Sequence, residues 1–152
     1  MCTAITYRTK DHYFGRNLDY EHGYQETVTI TPRDFPFHFR CLPPMERHYA
    51  MIGMATVSGG YPLYYDATNE YGLSLAGLNF PHSAKYMPEK PNKDNVAPFE
   101  LIPWILGQCE TVSQASAAAS KVISLLVKDK LTGNPCVASS DELMCNGCSS
   151  CE

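Results

Sequence analysis

The chain reads as an α+β domain in which mostly antiparallel strands come first and helices follow. Three observations predict this. Between Cys2 and Leu78, short runs rich in β-branched and aromatic residues recur between turn signals, at the spacing of a β meander. From Pro98 onward the apolar residues fall at helical spacing, and Thr111-Val112-Ser113-Gln114 carries the signature of a helix N-terminus. At 152 residues with 44% hydrophobic and 18% charged side chains, the composition suits one globular unit with a sizeable core.

The elements follow in order. Residues 2–9 alternate as a strand, Lys10-Asp11 makes a turn, and His12 to Asp19 return as the second strand of a hairpin. That hairpin brings Arg16 and Asp19 back toward the end carrying Cys2. Glu26 to Thr31 is a strand closed by Pro32, and Phe35-Pro36-Phe37-His38-Phe39 is irregular or edge-like because of its proline. Tyr49 to Val57 is a strand ended by Ser58-Gly59-Gly60. Leu63 to Ala67 is another, followed by the turn Asn69-Glu70-Tyr71-Gly72, and Leu73 to Leu78 is the last of the meander. Residues 82–96 are polar with two prolines and read as a loop. Pro98 occupies a helix N1-like position, with Phe99, Leu101, Ile102, Ile105 and Leu106 as the apolar face and Pro103 interrupting it. A second helix opens at Thr111 and runs to about Val127. After Lys128 the composition shifts to Ser, Asn, Gly and Cys. The expected organisation is therefore a folded unit over 1–130 and a poorly ordered, Cys-rich tail over 131–152.

A net charge of −4 and the lack of a basic stripe argue against nucleic acid as a partner. No apolar run reaches the ~20 residues of a membrane span, and the N-terminus lacks the apolar segment of a signal peptide. The expectation is a cytoplasmic protein without a membrane partner. Seven cysteines, an odd number, argue against a complete disulfide framework in such a chain. Four of them, Cys136, Cys145, Cys148 and Cys151, crowd the tail. Their CxxCxxC spacing is within the reach of zinc or iron–sulfur chemistry, but there is no second separated CxxC knuckle. His12, His22, His38, His48 and His82 have no metal-ligand spacing. No metal and no cofactor is expected.

Chemistry concentrates at the start. Removal of Met1, favoured by the small side chain that follows, makes Cys2 the N-terminal residue. One residue then carries a thiol, of ordinary pKa about 8.5, and an α-amino group, of about 8, which can take the thiol proton near neutral pH. On the residues alone, the better reading of Arg16 and Asp19 is a surface ion pair, and of Asn79 a strand-ending turn residue.

Met1-Cys2-Thr3, then Phe14-Gly15-Arg16-Asn17-Leu18-Asp19-Tyr20, then Asn69-Glu70-Tyr71-Gly72-Leu73 and Ala76-Gly77-Leu78-Asn79-Phe80-Pro81 together strongly resemble the choloylglycine hydrolase family of N-terminal-nucleophile hydrolases, which includes bile salt hydrolases and penicillin V acylases. The resemblance is closest to bile salt hydrolases of Gram-positive gut bacteria and covers residues 1 to about 115. It implies an αββα sandwich, of which this chain would form part. It also implies an amidase that cleaves the bond between a bile acid and glycine or taurine. The resemblance assigns Cys2 as nucleophile with its own amine as base, Arg16 as the cation that favours the thiolate, Asp19 as acceptor from the Cys2 amine, and Asn79 as oxyanion donor. Asn79 leans toward bile salts, because penicillin-preferring members often carry tyrosine there.

A steroid needs an apolar, aromatic wall, and Tyr20, His22 and Tyr24 in one loop, with Tyr61 and Leu63 near another, are the candidates. Ordinary packing is an equal reading of these aromatics. The implied partner is a conjugated bile acid, and the implied assembly is a homo-oligomer, a tetramer. Family members are considerably longer. The second oxyanion asparagine, a further active-site arginine, more strands and the assembly segment have no counterpart here. Part of a sandwich would expose an apolar face and strand edges. Two other readings stay open: penicillin V as substrate, and an inactive chain serving as an interaction or metal-binding module.

Overall fold

The computed structural model describes residues 2–19, 22–78, 87–124, 127–128 and 135–136. Strands β1 (Thr3–Arg8) and β2 (His12–Asn17) form an antiparallel hairpin in the register Thr3↔Asn17, Ala4↔Arg16. Strands β3 (Thr27–Thr31), β4 (Met51–Ser58), β5 (Tyr61–Asn69) and β6 (Ser74–Ala76) make a four-stranded antiparallel meander in chain order. A short 3₁₀ turn, Pro98–Glu100, leads into α1 (Leu101–Leu106), which lies against β5 and β6. Helix α2 (Val112–Ala119) packs on α1. The result is the α+β layering that the sequence predicts.

The core lies between one face of the meander and α1. Met51, Ala55, Tyr64, Ala67 and Leu73 from the sheet side meet Val96, Ile102, Ile105 and Leu106. Phe37 is fully buried at the edge of this core, with its ring against Phe35, Phe39, His48 and Tyr61. The Phe35–Phe39 segment is thus irregular, as its proline requires, yet supplies one of the deepest side chains. Pro103 does not break α1. It sits in the first turn, where an amide N–H has no helical partner to lose, and its ring is buried. At the start of α2, Thr111 Oγ1 accepts from the Gln114 amide at 3.3 Å and Gln114 Oε1 accepts from the Thr111 amide at 3.3 Å, the reciprocal cap expected there.

Two expectations are corrected. The stretch read as a loop over 82–96 contains strand β7 (Asp94–Val96), and the second helix ends at Ala119 rather than near Val127. Strand β8 (Val122–Ser124) follows it and pairs in parallel with β7. The β-branched Val122 and Ile123 favour extended backbone, and the partner strand supplies the hydrogen bonds that helical spacing alone would have offered. Strands β9 (Val127–Lys128) and β10 (Pro135–Cys136) form a further short antiparallel pair. The rest of the Cys-rich tail lies outside the described residues.

The opposite face of the meander is apolar and open. Val28, Ile30 and Ile52 are 65%, 69% and 47% exposed, with Ile30 directly across from Ile52. Ile5, Tyr7 and Tyr13 of the hairpin are exposed as well. This is the open face expected of part of a sandwich. No helix among the described residues is long and apolar enough to cross a membrane.

Candidate active site

The β1–β2 pairing sets the geometry around Cys2. Cross-strand partners share a face and alternate residues return to it. Ala4 is paired with Arg16, so Cys2, continuing the alternation one residue before β1, shares the Arg16 face. The Cys2 thiol is free and half-buried.

Arg16 is the unusual group. Its side chain is only 7% exposed, although the strands of its hairpin are largely open. The guanidinium reaches away from the hairpin to the meander, where Nη2 donates to the Gly77 carbonyl at 2.5 Å and Nε stands 3.7 Å from Asp66 Oδ2. Nε and Nη1 are buried and donate no hydrogen bond among the described residues. Structural arginines seldom leave two buried donors unpaired, whereas functional sites do.

The surroundings of Arg16 are polar and aromatic. Tyr65 of β5 lies within electrostatic reach of Arg16, Glu26 and Tyr24, and burial pushes its phenol above the ordinary value. Thr56 Oγ1 donates to the Tyr24 carbonyl at 2.9 Å and takes the Tyr65 hydroxyl proton at 3.0 Å, which ties the 22–26 loop to the sheet beside Arg16. Gly77 is held in turn by its amide donating to the Tyr65 carbonyl at 2.8 Å.

The structure places the other sequence candidates as follows. Asp19 follows β2 on the surface, His22 is exposed, and Tyr24 is half-buried beside Thr56. Tyr61 and Leu63 lie on β5, both half-buried. The Tyr61 ring packs edge-on to Phe37 with 5.8 Å between centroids, and burial raises its phenol well above the usual range. Tyr61 is thus shared with the core. Tyr20 and Asn79 lie outside the described residues. Sequence reading gave no site role to Asp66, Tyr65 or Gly77, which stand near Arg16. The available signal was Asp66 itself, a carboxylate in the otherwise apolar run Leu63-Tyr64-Tyr65-Asp66-Ala67. Among the described residues no group of three His, Cys, Asp or Glu side chains is arranged to hold a metal ion.

The model of the linear amide C–N hydrolases of the choloylglycine hydrolase family matches residues 2–136. The chain belongs to the choloylglycine hydrolase family. The family match takes in the whole stretch that the sequence motifs mark and continues through β10. Over 122 residues the chain is 52% identical to the bile salt hydrolase/transferase of Lactiplantibacillus plantarum, a match covering 80% of this chain and 38% of that one. It is 42% identical to the conjugated bile acid hydrolase of Lactobacillus gasseri, covering 80% and 40% respectively. Among solved structures, a cysteine-to-alanine mutant of the conjugated bile acid hydrolase from Clostridium perfringens superposes with a TM-score of 0.76 at 30% identity, covering 84% of this chain and 40% of that one. The chain therefore spans about two fifths of the length of the relatives it matches.

Proposed function

We propose that this chain carries the nucleophile-bearing part of an amidase that cleaves the bond between a bile acid and glycine or taurine. The observation that carries the reading is that the half-buried Cys2 and Arg16 fall on one hairpin face, where Arg16 Nε and Nη1 are buried and donate no hydrogen bond among the described residues. The 52% identity to a protein named a bile salt hydrolase/transferase supports the choice of substrate class.

In this reading the Cys2 amine, free once Met1 is removed, takes the thiol proton, with Asp19 as its acceptor. The thiolate, favoured by the positive charge of Arg16, attacks the amide carbonyl, and Asn79 donates to the oxyanion. One such donor is worth about 3 kcal/mol of barrier. Collapse of the tetrahedral intermediate returns the proton to the departing amine of glycine or taurine and leaves a thioester, which water then opens. Tyr20, His22, Tyr24 and Leu63 are the candidates for the wall against which a steroid would lie. A cytoplasmic location and a homo-oligomer belong to the same reading.

The test is release of glycine or taurine from glycocholate and taurocholate by the purified chain, with intact mass to establish loss of Met1. Release that vanishes in Cys2→Ala is the expected result. A folded, Met1-processed protein that releases neither product would overturn the reading.

A further inference from the structure

We propose that Asp66 is the positioning residue for Arg16, and through it sets the reactivity of Cys2. The inference rests on the reading of Cys2 as nucleophile and Arg16 as its cation. Asp66 offers a carboxylate within ion-pair distance of Arg16, at 3.7 Å from Nε, and the pair is shielded, with side chains 16% and 7% exposed. A buried guanidinium with two unpaired donors has no reason of its own to remain where it is. The hairpin offers it little packing, because every residue of β1 is exposed and β2, which carries Arg16, is at most half-buried. Asp66, on the sheet, supplies a fixed charge there.

The sheet is shaped to present it. Met54 pairs with Asp66 and Ala55 with Tyr64, so Tyr65 is an extra residue in β5 and the register shifts at this point. Such a bulge bends its strand and re-aims neighbouring side chains. Here it leaves Asp66 on the face of the meander away from the core, across from Met54, while Tyr64 and Tyr65 are both buried. Asp66 Oδ1 accepts from the Met54 amide at 3.3 Å, which orients the carboxylate with Oδ2 toward Arg16. One residue before the bulge, Gly53 lets β4 approach closely: a Cβ there would run into the Asp66 carbonyl and come within 2.6 Å of the Ala67 Cα. The carbonyl of Tyr65, the bulged residue, also holds the Gly77 amide, and Gly77 supplies the other contact of Arg16. One local irregularity therefore fixes both groups that grip the guanidinium.

The experiment measures the rate at which iodoacetamide alkylates Cys2 at pH 7 in the Met1-processed chain, with the site assigned by peptide mass spectrometry. Four proteins are compared: wild type, Asp66→Asn, Arg16→Leu and the double variant. The Asp66→Asn change keeps an oxygen for the Met54 amide and replaces the charged oxygen facing Arg16 with an amide NH2. The expected result is a fall of about tenfold in both single variants, with the double variant no slower than Arg16→Leu alone, as for residues acting through one another. Asp66→Glu recovers part of the rate, and in bile salt hydrolysis Asp66→Asn lowers kcat with KM little changed. An unchanged or faster rate in Asp66→Asn, with Arg16→Leu slow, would overturn the inference and leave the functional reading standing. Additive losses would also overturn it, since Asp66 would then act on the sheet and not through Arg16. An unchanged rate in Arg16→Leu would overturn both.

Discussion

Asn69 offers the sharpest test of how the site's platform is held. It ends β5, is 4% exposed, and uses its whole amide. Nδ2 donates to the Leu106 carbonyl at 2.9 Å and to the Cys109 carbonyl at 2.7 Å, at the end of α1. Oδ1 accepts from the Tyr71 and Leu73 amides, both at 3.1 Å. Asn69→Asp keeps the shape and both accepted bonds, but turns two donations into oxygen facing oxygen. Two net hydrogen bonds at about 1 kcal/mol each are lost, and each stranded carbonyl adds at least about 1 kcal/mol of desolvation, for a total near 4 kcal/mol. That is a large share of the 5–15 kcal/mol typical of a domain. With a urea m-value of about 2 kcal/mol/M, the unfolding midpoint should fall by about 2 M at unchanged m. A loss below about 1 kcal/mol would refute the claim that this side chain fastens the β5–β6 turn to α1.

Two further perturbations follow from the same geometry. Gly53→Ala should destabilise the chain by about 2 kcal/mol or more in the same urea assay, because the obstructing atoms are β5 backbone and cannot swing aside; a neutral result would mean that the two strands separate freely. Glu70 gives a pH dependence: hydrogen bonds from Arg33, then from the Ala50 amide, hold its carboxyl at about 2. A folded-state value below the unfolded one stabilises the fold above the unfolded value of about 4.5, and that contribution is lost as pH falls from there toward 2. The wild type should therefore lose more stability than Glu70→Gln between pH 6 and pH 3, whereas Glu100, raised by burial, works in the opposite sense in both proteins.

The hairpin, the meander and the α2 cap were legible because each is written locally: β-branched alternation, Gly and Pro at the turns, Thr111 and Gln114 three apart. The turn at Asn69-Glu70-Tyr71-Gly72 was legible for the same reason, and Gly72 does adopt a φ of 79°. What the sequence concealed depends on partners distant in the chain. Strand β7 is three residues long and exists because β8 lies beside it. The bulge at Tyr65 has no local signature, since Tyr64 and Tyr65 look interchangeable until one finds Thr31 and the other Thr56. Without the bulge there is no way to read which face Asp66 takes. Cys2, Arg16 and Asp19 could be chosen as a group only through the family motifs, because their residue types alone describe an ordinary surface ion pair near a cysteine.

The placement of Arg16 argues for chemistry over stability. A hairpin whose first strand buries nothing gains little from packing, and sinking a guanidinium with two idle donors costs free energy that the 3.7 Å contact to Asp66 and one hydrogen bond to Gly77 return only in part. An arginine kept for stability would have stayed in water, as Arg33 does with its side chain 74% exposed and its carboxylate partner gripped in two places. The two arginines solve opposite problems. Arg33 spends its donors on Glu70 and staples a turn, whereas Arg16 is anchored to the meander with two buried donors that make no hydrogen bond among the described residues. The charge and donors it keeps are what an anionic sulfur or a polarised carbonyl on the same hairpin face would use.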